Sequence, residues 1–470
     1  MMRRSGASLL EVLVVTSMFA TAALTAFFLL TNELQFLPRS RTALQAIGLA
    51  EEGLEAARSI RDQAWTDLAP GTHGLVFPNA TWSFHSTSET MDGFTRIVTV
   101  TDLAANERRV DATIRWMGSL GRTETFTLST TLANWRNAFQ TRLFGDWRIP
   151  RTLGTIDLGP GNEGRSLAVH DRFVYMAAMA SDENKPDFFV IDATSSTHPI
   201  IRGRLNTGPG LNAVAVRGPF AYVANDDETA QLQIINIANT STPTLIQSFR
   251  LGNNSEEGTA IVVSGTLVYI ATEKEDNNPE FYVVDVSNPT APSVIGSLNI
   301  GATVNDMFIY GSNVYLATAS NTRELLIVDA TNPTHPVVTG FADLPGTAVA
   351  VSVYVNDQDN HAYVTRRQAS GATTPELVIL DVSNPRAPRQ IGSLELSADI
   401  RSVFAADTLG FLGTALSSQE LHIYNVSNPA SLTFLSGLNF PQVAHDIAFE
   451  NNILYVAVRS NDALRMITSQ

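Results

Sequence analysis

Cysteine is absent from this 470-residue sequence, which excludes disulfides, thiolate metal sites and cysteine nucleophiles. Histidine is scarce. Its eight copies are scattered, and none stands in a metal-binding spacing such as His-Glu-x-x-His. No Gly-x-Ser-x-Gly elbow or phosphate-cradling glycine loop occurs. Basic charge is short as well: 31 Lys and Arg against 46 Asp and Glu give a formal charge of −15. Phosphate binding needs a basic face, so nucleic acid is excluded as a partner. These absences argue against an enzyme and against a resident metal or cofactor. The exception is a site assembled from distant residues, for which Asp306, Asp399, His445 and Asp446 form the group to examine. Without cross-links, stability has to come from packing.

Long apolar runs are confined to one place, Ala7–Leu30, behind the basic pair Arg3-Arg4. The run is long enough to span a bilayer, for which about 20 helical residues suffice. Glu11 stands four residues inside it. A carboxylate at membrane depth costs at least about 2–3 kcal/mol near the centre and marks function by default. A secretory signal would place its cleavage site after the apolar run, whereas the small residue here, Gly6, precedes it. The plain alternative is a signal anchor with Glu11 near the interface.

The short basic leader, Gly6 before Ala7, and a glutamate fifth after that junction resemble the N-terminus of type IV pilins and type II secretion pseudopilins. The resemblance implies that a prepilin peptidase cuts between Gly6 and Ala7 and methylates the new amine. It also implies that the helix leaves the inner membrane for a filament, where Glu11 pairs with a neighbouring subunit. Beyond the apolar run, Leu34, Leu37, Leu44, Ile47, Leu54 and Ala57 recur at helical steps among charged residues, with Pro38 as a kink. Segments alternating like strands follow at Gly74–Phe77, Thr81–Ser86, Phe94–Asp102, Arg109–Trp116 and Glu124–Leu132. The fold expected for this part is a pilin-like α+β domain, a long helix on a small antiparallel sheet. Its expected bounds are a leader at 1–6, the domain at 7–136 with its helix at 7–64, and a linker at 137–150.

The second half repeats. Strand-forming runs end in Asp or Asn at 192, 236, 285, 329, 381 and 425, at intervals of 44, 49, 44, 52 and 44 residues. Phe281-Tyr-Val-Val-Asp285 and Leu325-Leu-Ile-Val-Asp329 are two copies, and turns such as Val286-Ser-Asn-Pro-Thr-Ala-Pro292 follow them. An aromatic precedes each run, at Tyr175, Tyr222, Tyr269, Tyr315, Tyr363, Phe411 and Tyr455, which makes seven units. Four strand-like runs in about 44 residues are the signature of a β-propeller blade, so 151–470 is expected to be an all-β seven-bladed propeller. The phrases resemble the LVIVD repeat of bacterial surface propellers. The last unit stops after its third strand, and Thr152–Leu158 matches a fourth strand. That segment is expected to close the ring beside Leu464–Thr468, with the linker entering on the face of the Ser-Asn-Pro turns.

Two features of the propeller carry candidate sites. The loops after each second strand are acidic at Ser181–Asn184, Asn225–Glu228 and Glu273–Asp276, while the fifth unit shows Arg366-Arg367. They read either as a binding surface or as solvated loops, and they lack a calcium-loop pattern. The second is an axial ring ten residues before each aromatic: Arg165, Asn212, Thr259, Asn305, Arg401 and His445, with Thr347 taken from the fifth unit's Ala-Val-Ala-Val run. It is a candidate pocket for a carboxylate or glycan acid, or else a polar channel lining. The functional expectation is a minor pilin-like subunit showing its propeller at a filament tip or surface, on the cell exterior. There it would bind a surface, glycan or protein, with other pilin subunits as partners. A secretion pseudopilin contacting exported substrate and a membrane-anchored propeller enzyme are the alternatives.

Overall fold

A computed structural model of the chain describes residues 42–63, 65–77, 81–104, 107–118, 121–133 and 142–470, apart from 183, 254 and 370–373. It divides into two compact units, Met1–Asn134 and Trp135–Gln470. Gly6, Ala7, Glu11 and Pro38 lie outside the described residues.

In the first unit, helix α1 covers 42–63. The strands are β1 (Gly71–Val76), β2 (Ser83–His85), β3 (Glu89–Met91), β4 (Phe94–Ala104), β5 (Glu107–Met117) and β6 (Thr123–Ala133). All pair antiparallel in the order β2-β1-β4-β5-β6, with β3 on β4. Ala46, Ala50, Leu54, Ala57 and Ile60 form one stripe of α1 and share a buried cluster with Val98, Ala112 and Ile114. A Cβ on Gly53 would stand 3.2 Å from that of Ala112, so glycine sets how closely the helix approaches. Buried Arg96 ties the layers together, pairing with Glu52 of α1 and Glu89 of β3 at 2.8 Å each.

The expected fold class needs correcting here. Among the described residues the chain is nearly all β and α1 is its single α-helix, so the pilin-like α+β domain with a long helix over 7–64 is not what the structure shows. Beyond 63 the apolar residues recur with period two, and strands follow from that pattern. None of the described helices is long and apolar enough to cross a membrane.

The second unit is a ring of seven four-stranded antiparallel sheets. The repeated apolar run is the third strand of each blade, and both of its faces are covered. In Leu325–Asp329, Leu325 and Ile327 join the core shared with the next blade, and Leu326 and Val328 join the core shared with the previous one. That is why every residue in the run is apolar, each worth about 1.5–3 kcal/mol on burial. The aspartate that ends the run makes the turn: Asp329 Oδ1 accepts the Thr331 amide at 2.9 Å. These hydrogen bonds hold the Asp329 carboxyl below the usual carboxylate range.

The seventh sheet closes on the start of the unit. Arg151–Ile156 pairs with Leu464–Thr468, matching Leu464 with Ile156 and Thr468 with Arg151. The segment before it docks where the first and second strands of blades six and seven turn. Leu143 N–H donates to Asp407 (3.0 Å) and Phe144 N–H to Asn452 (2.9 Å), while Trp147 packs edge-on against Phe411. The chain therefore enters on the face of the Ser-Asn-Pro turns.

Two further repeated features emerge from the structure. Gly296, Gly340 and Gly392 lie in outermost strands, and a Cβ there would collide with the carbonyls of Pro333, Pro385 and Pro429 in the next blade's turn. The second is a buried acceptor at the head of each of the first six third strands. Asp187, Gln231, Glu280, Glu324, Glu376 and Glu420 each accept the backbone N–H of the residue 20 positions on, in the connection to the next blade. In blade seven Ala463 holds that place, and the equivalent amide, Leu158 N–H, donates to Asn461 O instead (2.7 Å).

Glu280 accepts two such amides, Ile300 at 2.7 Å and Gly301 at 3.0 Å. Glu280→Leu should therefore lower the urea unfolding free energy by about 1–3 kcal/mol, because both donors lose their partner. Glu280→Gln, which keeps an acceptor as Gln231 does, should lose less. Equal losses would refute the acceptor role.

Candidate axial binding site

Each innermost strand carries a bulge at the same place. Its pairing with the second strand skips one residue: Arg165, Asn212, Thr259, Asn305, Val351, Arg401 and His445. A bulge re-aims its extra residue, and all seven line one axial cavity of about 370 Å³. Six of the seven sequence-derived ring residues are thus brought together. Thr347 is not; it is exposed on the loop before the strand, and Val351 takes its place. The fifth unit's insertion falls in the hairpin turn Asp357–Asn360, beyond the strand's end. Matching the Ala-Val-Ala-Val run therefore displaced the assignment by four residues.

The ring is also a belt. Asn212 Nδ2 donates to Gly258 O (2.9 Å), Thr259 Oγ1 to Val304 O (2.6 Å) and Asn305 Nδ2 to Ala350 O (2.6 Å), each on the next blade. His445 Nδ1 continues it to Arg165 O at 2.9 Å. Burial, together with Arg165 and Arg401, pushes the His445 imidazole down to about 4, so it is neutral at physiological pH and Nδ1 is the donor. Arg165 Nη1 donates to Asn212 Oδ1 at 3.1 Å. Val351 has no donor to give, and Arg401 turns to Asp399 at 2.8 Å.

Behind the bulges stand two carboxylates in equivalent settings. Asp306 accepts from Ser352 Oγ (2.6 Å) and the Val353 amide (3.0 Å), and Asp446 accepts from the Leu167 amide (2.9 Å). Burial raises both, Asp306 to about 7. Of the group singled out for catalysis, Asp306, His445 and Asp446 line the cavity, and Asp399 holds Arg401 and the Gln368 amide. Their contacts are to backbone, serine and arginine, an arrangement that positions strands.

Charge is divided around the mouth. Arg165, Arg367 and Arg401 lie in the wall, with Arg459 close enough to act on Arg401. Glu257 and Glu273 line the side of blades two and three, where Glu257 hydrogen-bonds Asp226. That bond, burial, and the charges of Asp226 and Glu273 push the Glu257 carboxyl up to about 8. Sequence reasoning had Asp226 and Glu273 within its acidic loops but missed Glu257, which comes from the connection between blades two and three. The loop acids elsewhere are occupied locally: Asp182 accepts the Asn184 amide (2.9 Å) and Asp227 the Thr229 amide (2.8 Å). The two neighbouring arginines separate. Arg366 is fully buried, donating to Ala348 O at 2.9 Å, and Arg367 is exposed at the mouth. Among the described residues no cluster of His, Asp or Glu could hold a metal ion.

The family model of the LVIVD repeat matches residues 212–250, 258–300, 301–343 and 345–395. The chain thus carries LVIVD repeats within its β-propeller. No curated protein matches the chain. Among solved structures, a chain of the mitotic checkpoint complex is similar at 13% identity and a TM-score of 0.53, over 70% of this chain and 96% of that one. A quinonprotein alcohol dehydrogenase-like protein from Bacteroides thetaiotaomicron matches at 14% identity and 0.47, over 81% and 91%. The WD40 propeller domain of Doa1 matches at 11% and 0.49, over 70% and 98%. At these identities the likeness concerns fold alone.

Asp306 makes the site's stability depend on pH. The folded chain keeps this proton up to about pH 7, while the unfolded chain releases it near the ordinary 3.8. Between those values the folded state binds more protons, so this group's contribution to stability falls as pH rises. The melting temperature of Asp306→Asn should therefore vary less between pH 4.5 and 7.5 than that of the wild type. Parallel curves for the two proteins would refute the assignment.

Proposed function

We propose that this is a binding protein whose propeller presents the axial cavity to a ligand, and that a prepilin-type leader delivers it to a filament on the cell exterior. The observation that carries the binding role is the cavity itself: about 370 Å³, with charge of both signs in its walls. It opens on the face of the loops that follow the second strands, opposite the face where the chain enters. Pockets of roughly 300–1,000 Å³ suit small molecules or the end of a larger chain. Delivery is supported by the order of Gly6, Ala7 and Glu11 in the sequence, with prepilin peptidase and other filament subunits as the partners it calls for. The function is binding, without a reaction, in a surface-attachment or ligand-capture role.

Two measurements test the two parts. Filaments sheared from cells should yield an N-terminal peptide beginning at methylated Ala7, whereas an intact Met1 leader found solely in membranes would sink the delivery reading. Cells carrying full-length protein with Arg367→Glu and Arg401→Glu should lose at least about tenfold in adherence to a surface that holds the wild type, as expected when central charged contacts are reversed. Undiminished adherence would remove the cavity from the binding role.

A further inference from the structure

The belt leaves an imbalance. Asn212, Thr259, Asn305 and His445 each bond a backbone carbonyl of the neighbouring blade, but Arg401 does not. Arg401 meets one carboxylate, Asp399, while burial, and after it the guanidiniums of Arg367, Arg459 and Arg165, depress its own affinity for protons. Its Nε is buried with no hydrogen-bond partner, and so is Oγ of the adjacent Ser402 in the same wall. A buried donor left unpaired costs about 1–3 kcal/mol, and more when charged, so such donors point to an acceptor that comes from outside. The opposite wall has the converse imbalance. Asp226 and Glu257 share a hydrogen bond that requires a proton between them, and Glu273 adds a third carboxylate.

We propose that the axial cavity binds a small zwitterion, its carboxylate against Arg401 and Arg367 and its ammonium toward Glu257 and Glu273. Guanidinium forks match carboxylates in geometry as well as charge, and Arg401 has its Nε to offer. An ammonium on the far wall displaces the proton that Asp226 and Glu257 share and takes over its role. Each wall also rejects half of the simpler ligands: the acidic side repels a plain anion and the basic side a plain cation. The inference rests on the cavity being the binding site, and it specifies what that site holds.

ω-Amino acids from glycine to 6-aminohexanoate serve as rulers of the gap between the walls. Added at 10 mM to the full-length protein at pH 7, one length should raise the melting temperature by about 3 °C, more than its shorter and longer neighbours. Acetate and methylammonium at the same concentration should give less than half of that. The shift should vanish in Arg401→Gln, in Glu257→Gln and in Arg367→Gln, the last a change at an exposed loop residue that should leave folding intact. A flat response along the series, an equal shift with acetate alone, or a shift that survives Arg367→Gln would overturn the proposal. In that event, adherence that still depends on the two arginines would leave the binding role standing and the zwitterion excluded.

Discussion

The axis of this propeller depends on where each innermost strand begins, and a buried side chain decides that. The acceptor at the head of each third strand reaches a backbone amide 20 residues later, in the connection to the next blade. The intervals between units vary with loop length, but this span stays constant through six blades, because it crosses the turn and outermost strand, whose lengths are fixed. A carboxylate buried against backbone amides is hard to replace, since the amides would otherwise be left without partners. Once the connection is held, the bulge falls at the same height in every blade. Seven side chains then meet at one level around the axis.

What those side chains do follows from their chemistry. Amide, hydroxyl and neutral imidazole groups are short and find the next blade's carbonyls, so four of them stitch the ring. Arginine is longer and charged: Arg165 reaches the Asn212 side chain of the next blade, while Arg401 turns to Asp399 in the cavity wall. Burial of the mouth lowers the local dielectric, which strengthens both the repulsion among the arginines and the proton sharing between Asp226 and Glu257. Structural and ligand-facing roles thus separate within a single ring, by side-chain type at equivalent backbone positions.

Most of the propeller was legible because its signals are local and repeated. The apolar third strand, the aromatic of the second and the Asp-Ser-Asn-Pro turn each recur in the sequence, and the unmatched fourth strand at Thr152–Leu158 pointed to the closure now seen against Leu464–Thr468. The acidic or amide residue before each third strand was equally repeated, at Glu280, Glu324, Glu376 and Glu420 among others, yet it escapes notice when attention rests on apolar patterning. Val351 was hidden because an insertion in the turn at the far end of its own strand breaks the spacing to the aromatic. The division of charge around the mouth was hidden because Arg367 and Glu273 come from loops after second strands, Arg401 from an innermost strand, and Glu257 from the connection between blades two and three. Arg366 and Arg367 show the limit most plainly, for neighbours with one chemistry face opposite ways. In the first unit the alternating strands were readable, and Leu54 and Ala57 of the helix stripe, but Leu44 is exposed and small Ala46 and Ala50 carry the contact instead; resemblance at the N-terminus did not carry its fold along with it.

The closing strand has a consequence for how the chain is made. Arg151–Ile156 is synthesised more than three hundred residues before its partner, Leu464–Thr468. Until Leu464–Thr468 has been made, six blades can pack in order while the ring remains an open arc, with an unpaired sheet edge at one end. Pairing of the most distant sequence positions is then the last event, and the slowest kind, since its loop entropy has to be met before any contact rewards it. A chain that lacks Leu464–Thr468 keeps nearly every blade intact and is still denied its ring. For an arc that exposes strand edges, that makes this one pairing a checkpoint between a closed ring and a self-associating sheet.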